Sequence, residues 1–156
     1  MIQDLPMHEV PCRPLDILLV EDDDGDAKAV MRAFRHTRIH NRIIRRVDGV
    51  EALDYLRSLE PGHETALPLL LVDINMPRMT GHELVADLRG DPVLRQIIVF
   101  MLTTSYDARD VATAYGNSVA GYVTKERAGE DFLGLVRTID QLWHTIEAPK
   151  RAIDRS

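Results

Sequence analysis

The stretch Leu67-Pro68-Leu69-Leu70-Leu71-Val72-Asp73-Ile74-Asn75-Met76-Pro77-Arg78-Met79-Thr80-Gly81 decides the fold. Leu67 to Val72 is apolar without alternation, as in a parallel-sheet strand covered on both faces. Asp73 closes the run and a Pro-containing loop follows. Thr80 and Glu83 then have the spacing of a helix capping box. An acid at the end of a buried parallel strand faces the crevice where open α/β sheets place their chemistry.

Upstream, Ile17 to Val20 is a second such run within the apolar stretch that starts at Leu15, and it ends in Glu21-Asp22-Asp23. A helix is expected from about Asp24, because Ala27, Val30, Met31 and Phe34 fall at i, i+3, i+4 and i+7. Ile43, Ile44 and Val47 suggest a strand, and Asp48 with Glu51 opens a helix to about Leu59. After a loop at Glu60 to Ala66 comes the quoted strand. Its helix runs to about Arg89, where Gly90-Asp91-Pro92 breaks it. Downstream, strands are expected at Ile97 to Leu102 and Val119 to Val123. Helices are expected at about Asp107 to Tyr115 and Gly129 to Ile146.

Five strand–helix alternations with short links predict an α/β fold with a parallel sheet covered on both sides. Right-handed crossovers narrow the topology to a flavodoxin-like, doubly wound five-stranded sheet of order 2-1-3-4-5. In that order strands one and three are neighbours, and Glu21, Asp22 and Asp73 meet at their C-terminal ends.

The chain has 156 residues, 45% of them hydrophobic and 28% charged, the composition of an ordinary globular domain. Residues 1–14 read as an N-terminal arm, 15–147 as the domain and 148–156 as a tail, with no output domain expected. A net charge of −6 argues against binding nucleic acid or anionic membrane. No apolar run reaches the ~20 residues of a spanning helix, the N-terminus lacks a basic start, and Cys12 is the one cysteine. A cytoplasmic location is expected.

Two ionised carboxylates about 5 Å apart repel by roughly 3 kcal/mol at an effective dielectric of 20. Three together either raise their pKa values or hold a cation. An oxygen-rich site with few carboxylates suits Mg²⁺, which leaves positions for phosphoryl oxygens. The competing reading of Glu21 to Asp24 is an acidic cap on the first helix. Asp73 tips the balance, because an acid ending a buried strand is costly unless paired or used. It is the candidate nucleophile for an aspartyl phosphate. Thr103, at the end of strand four, is positioned to donate to a phosphoryl oxygen. Lys125, after strand five, is positioned to pair with another. Alone, such a threonine is usually a helix cap and such a lysine a solvated side chain; sharing one crevice with the acids makes them specific.

The acidic pair Glu21-Asp22, Asp73 in its Asn-Met-Pro-Arg-Met-Thr-Gly context, Thr103, and Gly121-Tyr122-Val123-Thr124-Lys125 together resemble the receiver domain of two-component response regulators. Val20-Glu21-Asp22-Asp23, Asp48-Gly49 before Glu51-Ala52-Leu53, Leu102-Thr103-Thr104-Ser105 and Trp143 are closest to the single-domain regulators of phytochrome histidine kinases. The resemblance implies phosphorylation of Asp73 by a histidine kinase. It implies Mg²⁺ held by Glu21, Asp22, Asp73 and the backbone carbonyl of Asn75. It makes Thr103 the switch hydroxyl, Lys125 the phosphoryl partner and Tyr122 the aromatic switch, with Asn75 and Thr104 tuning dephosphorylation. One departure stands out: Glu126 occupies the place where receivers carry a proline joined by a cis peptide. A trans bond is expected there, with a reshaped turn and Glu126 competing for the lysine.

Two surface readings follow. Phe132, Leu135, Val136, Ile139, Leu142, Trp143 and Ile146 outnumber one buried stripe, so Phe132, Val136, Ile139, Trp143 and Ile146 are expected to line a homodimer interface. Arg32, Arg35, Arg38, Arg42, Arg45 and Arg46 form a basic stretch, either a solvated face or a docking patch for an acidic partner such as the kinase. The alternatives to a phosphorylatable switch are weaker. An aspartyl-phosphate phosphatase would want Asp-x-Asp where Asp73-Ile74-Asn75 stands. A flavin or nucleotide module would want a Gly-rich loop where Glu21-Asp22-Asp23-Asp24 stands. A constitutive dimeric receiver-like module would not require the acidic site.

Overall fold

The computed structural model describes residues 16–36, 42–59, 67–104, 106–126 and 132–145, with side chains to Leu142. Ten elements alternate along the chain: β1 (Ile17–Val20), α1 (Asp24–His36), β2 (Ile43–Arg46), α2 (Gly49–Ser58), β3 (Leu69–Val72), α3 (Gly81–Gly90), β4 (Val99–Thr103), α4 (Ala108–Gly116), β5 (Gly121–Thr124) and α5 (Leu133–Thr145). All strand pairs are parallel and the order is β2-β1-β3-β4-β5. This is the flavodoxin-like arrangement expected from the sequence.

Every residue of β1, β3 and β4 is buried. That is why these strands read as unbroken apolar runs. Alternate residues feed two cores. Leu18, Val20, Leu70, Val72, Val99 and Met101 pack with Ala52 and Leu56 of α2 and with Leu84, Val85 and Leu88 of α3. On the other face Ile17, Leu19, Leu69, Leu71, Phe100 and Leu102 pack with Ala27, Val30 and Phe34 of α1 and with Leu135, Val136 and Ile139 of α5.

The side-chain caps expected from the sequence form. Asp48 accepts from the Glu51 amide at 2.9 Å and Thr80 from the Glu83 amide at 3.2 Å. Glu51 reaches back to the amide of Val47 at 3.2 Å. Val47 itself falls outside β2 and is exposed. At the end of the sheet away from the acidic residues, Arg89 of α3 donates to four backbone carbonyls. Those of Asn117, Arg95 and Ile97 lie at 2.8 Å and that of Ser118 at 3.0 Å. Burial lowers the guanidinium pKa, yet the group gathers the α3–β4 and α4–β5 connections.

The two-sided reading of the last helix needs correction. Phe132, Val136 and Ile139 are buried in the core of this single chain, together with Leu135, so they are not available to a dimer interface. Their spacing of i, i+3, i+4 and i+7 is that of one stripe, and the sheet takes all of it. The outward positions of α5 are Gly134, Arg137, Thr138 and Gln141. The Trp143 side chain and Ile146 lie outside the described residues.

Candidate phosphoryl-acceptor site

Register brings the acids together. Val20 of β1 is paired with Val72 of β3, and the next residues are Glu21 and Asp73. The Asp73 amide donates to the Val20 carbonyl at 3.0 Å, continuing the ladder one step past the strands. Asp22 follows Glu21 on the opening loop. One carboxylate oxygen from each of Glu21, Asp22 and Asp73 lies within 4.8 Å of the others. Glu21 and Asp73 are buried, whereas Asp22 is exposed to solvent.

The loop after β3 is tightly built. The Asn75 amide donates to Asp73 Oδ1 at 3.3 Å, and the Gly81 amide to the Ile74 carbonyl at 2.9 Å. Gly81 has no room for a side chain: a Cβ there would overlap the Asp73 carbonyl oxygen and lie 2.9 Å from the Ile74 Cα. Arg78 adopts φ 63° and reaches the buried Asp48 carboxylate, with Nε at 2.8 Å and Nη2 at 2.6 Å. Burial alone would raise the Asp48 pKa. The Glu51 amide and the Arg78 guanidinium override it and hold the carboxyl below its usual range.

Lys125 closes the site from β5. Its amide donates to the Thr103 carbonyl at 2.7 Å. Its ammonium pairs with Glu21 Oε1, lies 2.6 Å from Asp26 Oδ2 and 3.4 Å from Asp73 Oδ2. The peptide bond to Glu126 is trans, as expected, and still the lysine reaches the carboxylates. Glu126 is exposed and is not among these partners, so the expected competition for the lysine is not seen. Thr103 is fully buried at the end of β4, Thr104 and Asn75 are exposed, and Tyr122 is half-buried on β5. Burial raises the Tyr122 phenol pKa, and the nearby Asp110, Asp107 and Asp73 add to the rise.

Electrostatics fit the site to a divalent cation. Burial pushes the Glu21 carboxyl up to about 8; Asp73 adds to the rise and Lys125 opposes it. Burial would lower the Lys125 pKa, but Asp26, Glu21 and Asp73 outweigh it and hold the ammonium above its ordinary value. Four carboxylates thus face one ammonium, and the notch stays short of positive charge. Glu21 Oε2 is buried with no hydrogen-bond partner. An orphaned carboxylate oxygen beside two others is what a hard cation with oxygen ligands would satisfy.

Two contributors were not read as site residues from the sequence. Asp26 lies in the first turn of α1, where an acid reads as a partner of the helix dipole, so the sequence carries no separate signal for it. Arg45, grouped above with a surface stretch, instead holds the acidic loop. It donates to the Glu21 carbonyl from Nε at 3.1 Å and Nη2 at 3.0 Å, to the Asp22 carbonyl at 3.3 Å, and pairs with Asp24 at 2.7 Å. Arg42, just before β2, pairs with Asp16, and Arg46 of β2 stacks over the Tyr55 ring, so these arginines are engaged within the chain. Arg38 lies outside the described residues.

A model of the response regulator receiver domain matches residues 17–137. The chain belongs to this family. The probable methanogenesis regulatory protein FilR2 of Methanothrix harundinacea is 38% identical over 130 residues, covering 83% of this chain and 84% of that one. The response regulator Rcp1 of Synechocystis sp. is 33% identical over 138 residues, covering 87% of this chain and 94% of its own. The structure of Rcp1 in its Mn²⁺-bound form superposes on this receiver with a TM-score of 0.73, covering 87% of this chain and 99% of that one. The phosphorylated cyanobacterial phytochrome response regulator RcpA gives a TM-score of 0.74 at 30% identity, over 88% and 99%. This receiver is thus a signal-carrying domain whose relatives include phytochrome regulators. Among its described residues no helix is long and apolar enough to cross a membrane.

Proposed function

We propose that this receiver accepts a phosphoryl group on Asp73 from a histidine kinase of the phytochrome class, in the cytoplasm, and relays the signal through a change in its interaction surface. One observation carries the reading: Glu21, Asp22 and Asp73 each offer an oxygen within 4.8 Å of the others, and a lysine from the far strand lies against them. Glu21 is the least exposed of the three, and its orphaned oxygen needs a partner.

Asp73 attacks the phosphorus of the donor. An O–P bond forms, the P–N bond of a phosphohistidine breaks, and the imidazole nitrogen that leaves takes up a proton. Mg²⁺ at Glu21, Asp22, Asp73 and the Asn75 carbonyl would neutralise phosphoryl oxygens. Lys125 pairs with one phosphoryl oxygen and the Thr103 hydroxyl donates to another. Tyr122, half-exposed beside β4, follows the threonine, and Asn75 and Thr104 set the approach of hydrolytic water. The same residues return the receiver to its resting state by hydrolysis. Read-out passes through the surface of the 15–147 domain to a partner, with 1–14 as an N-terminal arm and 148–156 as a C-terminal tail.

The test is intact mass spectrometry after incubation with Mg²⁺ and acetyl phosphate, and in parallel with an autophosphorylated phytochrome kinase. One phosphoryl adduct is expected on the wild type and none on Asp73→Asn. An adduct that persists in Asp73→Asn refutes the assignment of the acceptor.

A further inference from the structure

Asp26 is the third residue of α1 and lies outside the carboxylate triad that would hold a metal. Its backbone amide is taken by Asp23 Oδ2 at 2.7 Å, while its side chain turns into the notch. There Asp26 Oδ2 stands 2.6 Å from Lys125 Nζ, much closer than Asp73 Oδ2 at 3.4 Å. The lysine is one-tenth exposed. An ammonium has three N–H donors, and three carboxylates occupy them, one just after β1, one on α1 and one just after β3. Charge-assisted bonds weaken as they lengthen, so the bond to Asp26 outranks the one to Asp73.

We propose that Asp26 is a positioning residue that competes with the phosphoryl group for Lys125. This inference rests on Asp73 being the acceptor. Before phosphorylation Asp26 draws the ammonium toward α1. After transfer, the new phosphoryl oxygens on Asp73 must draw a donor away from Asp26. The pair therefore sets how long the phosphorylated form lasts, and it does so from a helix that carries no metal ligand. A cap-only role for Asp26 does not account for the geometry. Asp24 already places a carboxylate in the first turn, and Asp23 accepts from the helix amide.

The experiment uses the full chain with Asp26→Asn, Lys125→Met and the double variant. Lys125 reactivity toward an acylating reagent is followed by peptide mass in the unphosphorylated protein. Lifetime of the acetyl-phosphate adduct is followed by intact mass. Asp26→Asn is expected to raise Lys125 acylation several-fold and to lengthen adduct lifetime about fivefold, equivalent to about 1 kcal/mol. In the Lys125→Met background the same substitution is expected to leave the lifetime unchanged. Unaltered Lys125 reactivity, or a lifetime effect that persists without the lysine, overturns the inference while the acceptor reading stands. No adduct on the wild type overturns both.

Discussion

Substituting Gly81 by alanine tests how tightly the helix start is seated on the phosphoacceptor. The added Cβ would overlap the Asp73 carbonyl oxygen and come within 2.9 Å of the Ile74 Cα and 3.0 Å of the Asp73 carbonyl carbon. Carbon atoms in contact normally keep ~3.5–4.0 Å. All three neighbours are backbone, so no side chain can rotate away. Either α3 lifts or the Asp73–Ile74 peptide shifts, and the Gly81 amide bond to the Ile74 carbonyl at 2.9 Å is stretched in both cases. Overpacking costs about 1–3 kcal/mol and a buried hydrogen bond about 1 more. The helix propensity of alanine returns at most about 1 kcal/mol. The net expectation is a loss of about 1–3 kcal/mol, read as a lower urea midpoint at unchanged slope. Because the displaced peptide carries Asp73, adduct formation from acetyl phosphate should also fall by about tenfold or more. Gly90→Ala is the control, since nothing lies within 4 Å of a Cβ there. If the two variants unfold at the same urea concentration and Gly81→Ala is phosphorylated at the wild-type rate, the close approach described here is wrong.

Arg89→Met leaves four carbonyls without their shared donor and should lower stability by about 2–3 kcal/mol in urea while the adduct forms at the usual rate. Asp48→Asn probes a carboxyl held below its usual range. Such a group contributes stability above about pH 4, and the contribution disappears as pH falls through its folded value. The wild-type advantage over Asp48→Asn should be about 1–2 kcal/mol at neutral pH and shrink below about pH 4; a gap constant down to pH 3 contradicts this. Mg²⁺ at about ten times its dissociation constant should stabilise the chain by about 1.4 kcal/mol in thermal melts. That gain should be absent in Asp22→Asn combined with Asp73→Asn.

The strands were legible because parallel strands buried on both sides must be apolar throughout, and Ile17 to Val20 and Leu69 to Val72 are. Asp48 and Thr80 were legible because a cap is a local bond three residues long. The meeting of Glu21 with Asp73 followed from strand order alone. What escaped was long-range pairing of charged side chains. Arg45 bonds a loop 24 residues away and Lys125 reaches Asp26 across 99, and no periodicity marks either partner. The last helix departs from expectation at Phe132, Val136 and Ile139 for a different reason: their angular spacing confines them to a single side, which the sheet covers.

Arg89 anchors the pole opposite the carboxylates, where one planar cation ties three stretches of chain through α3. Loosening that pole would expose several unpaired oxygens at once, whereas the loops around Asp73 are joined by bonds that a new anion can rearrange. The two poles are held by opposite arrangements, carbonyls gathered on one cation at the base and one cation shared among carboxylates at the rim.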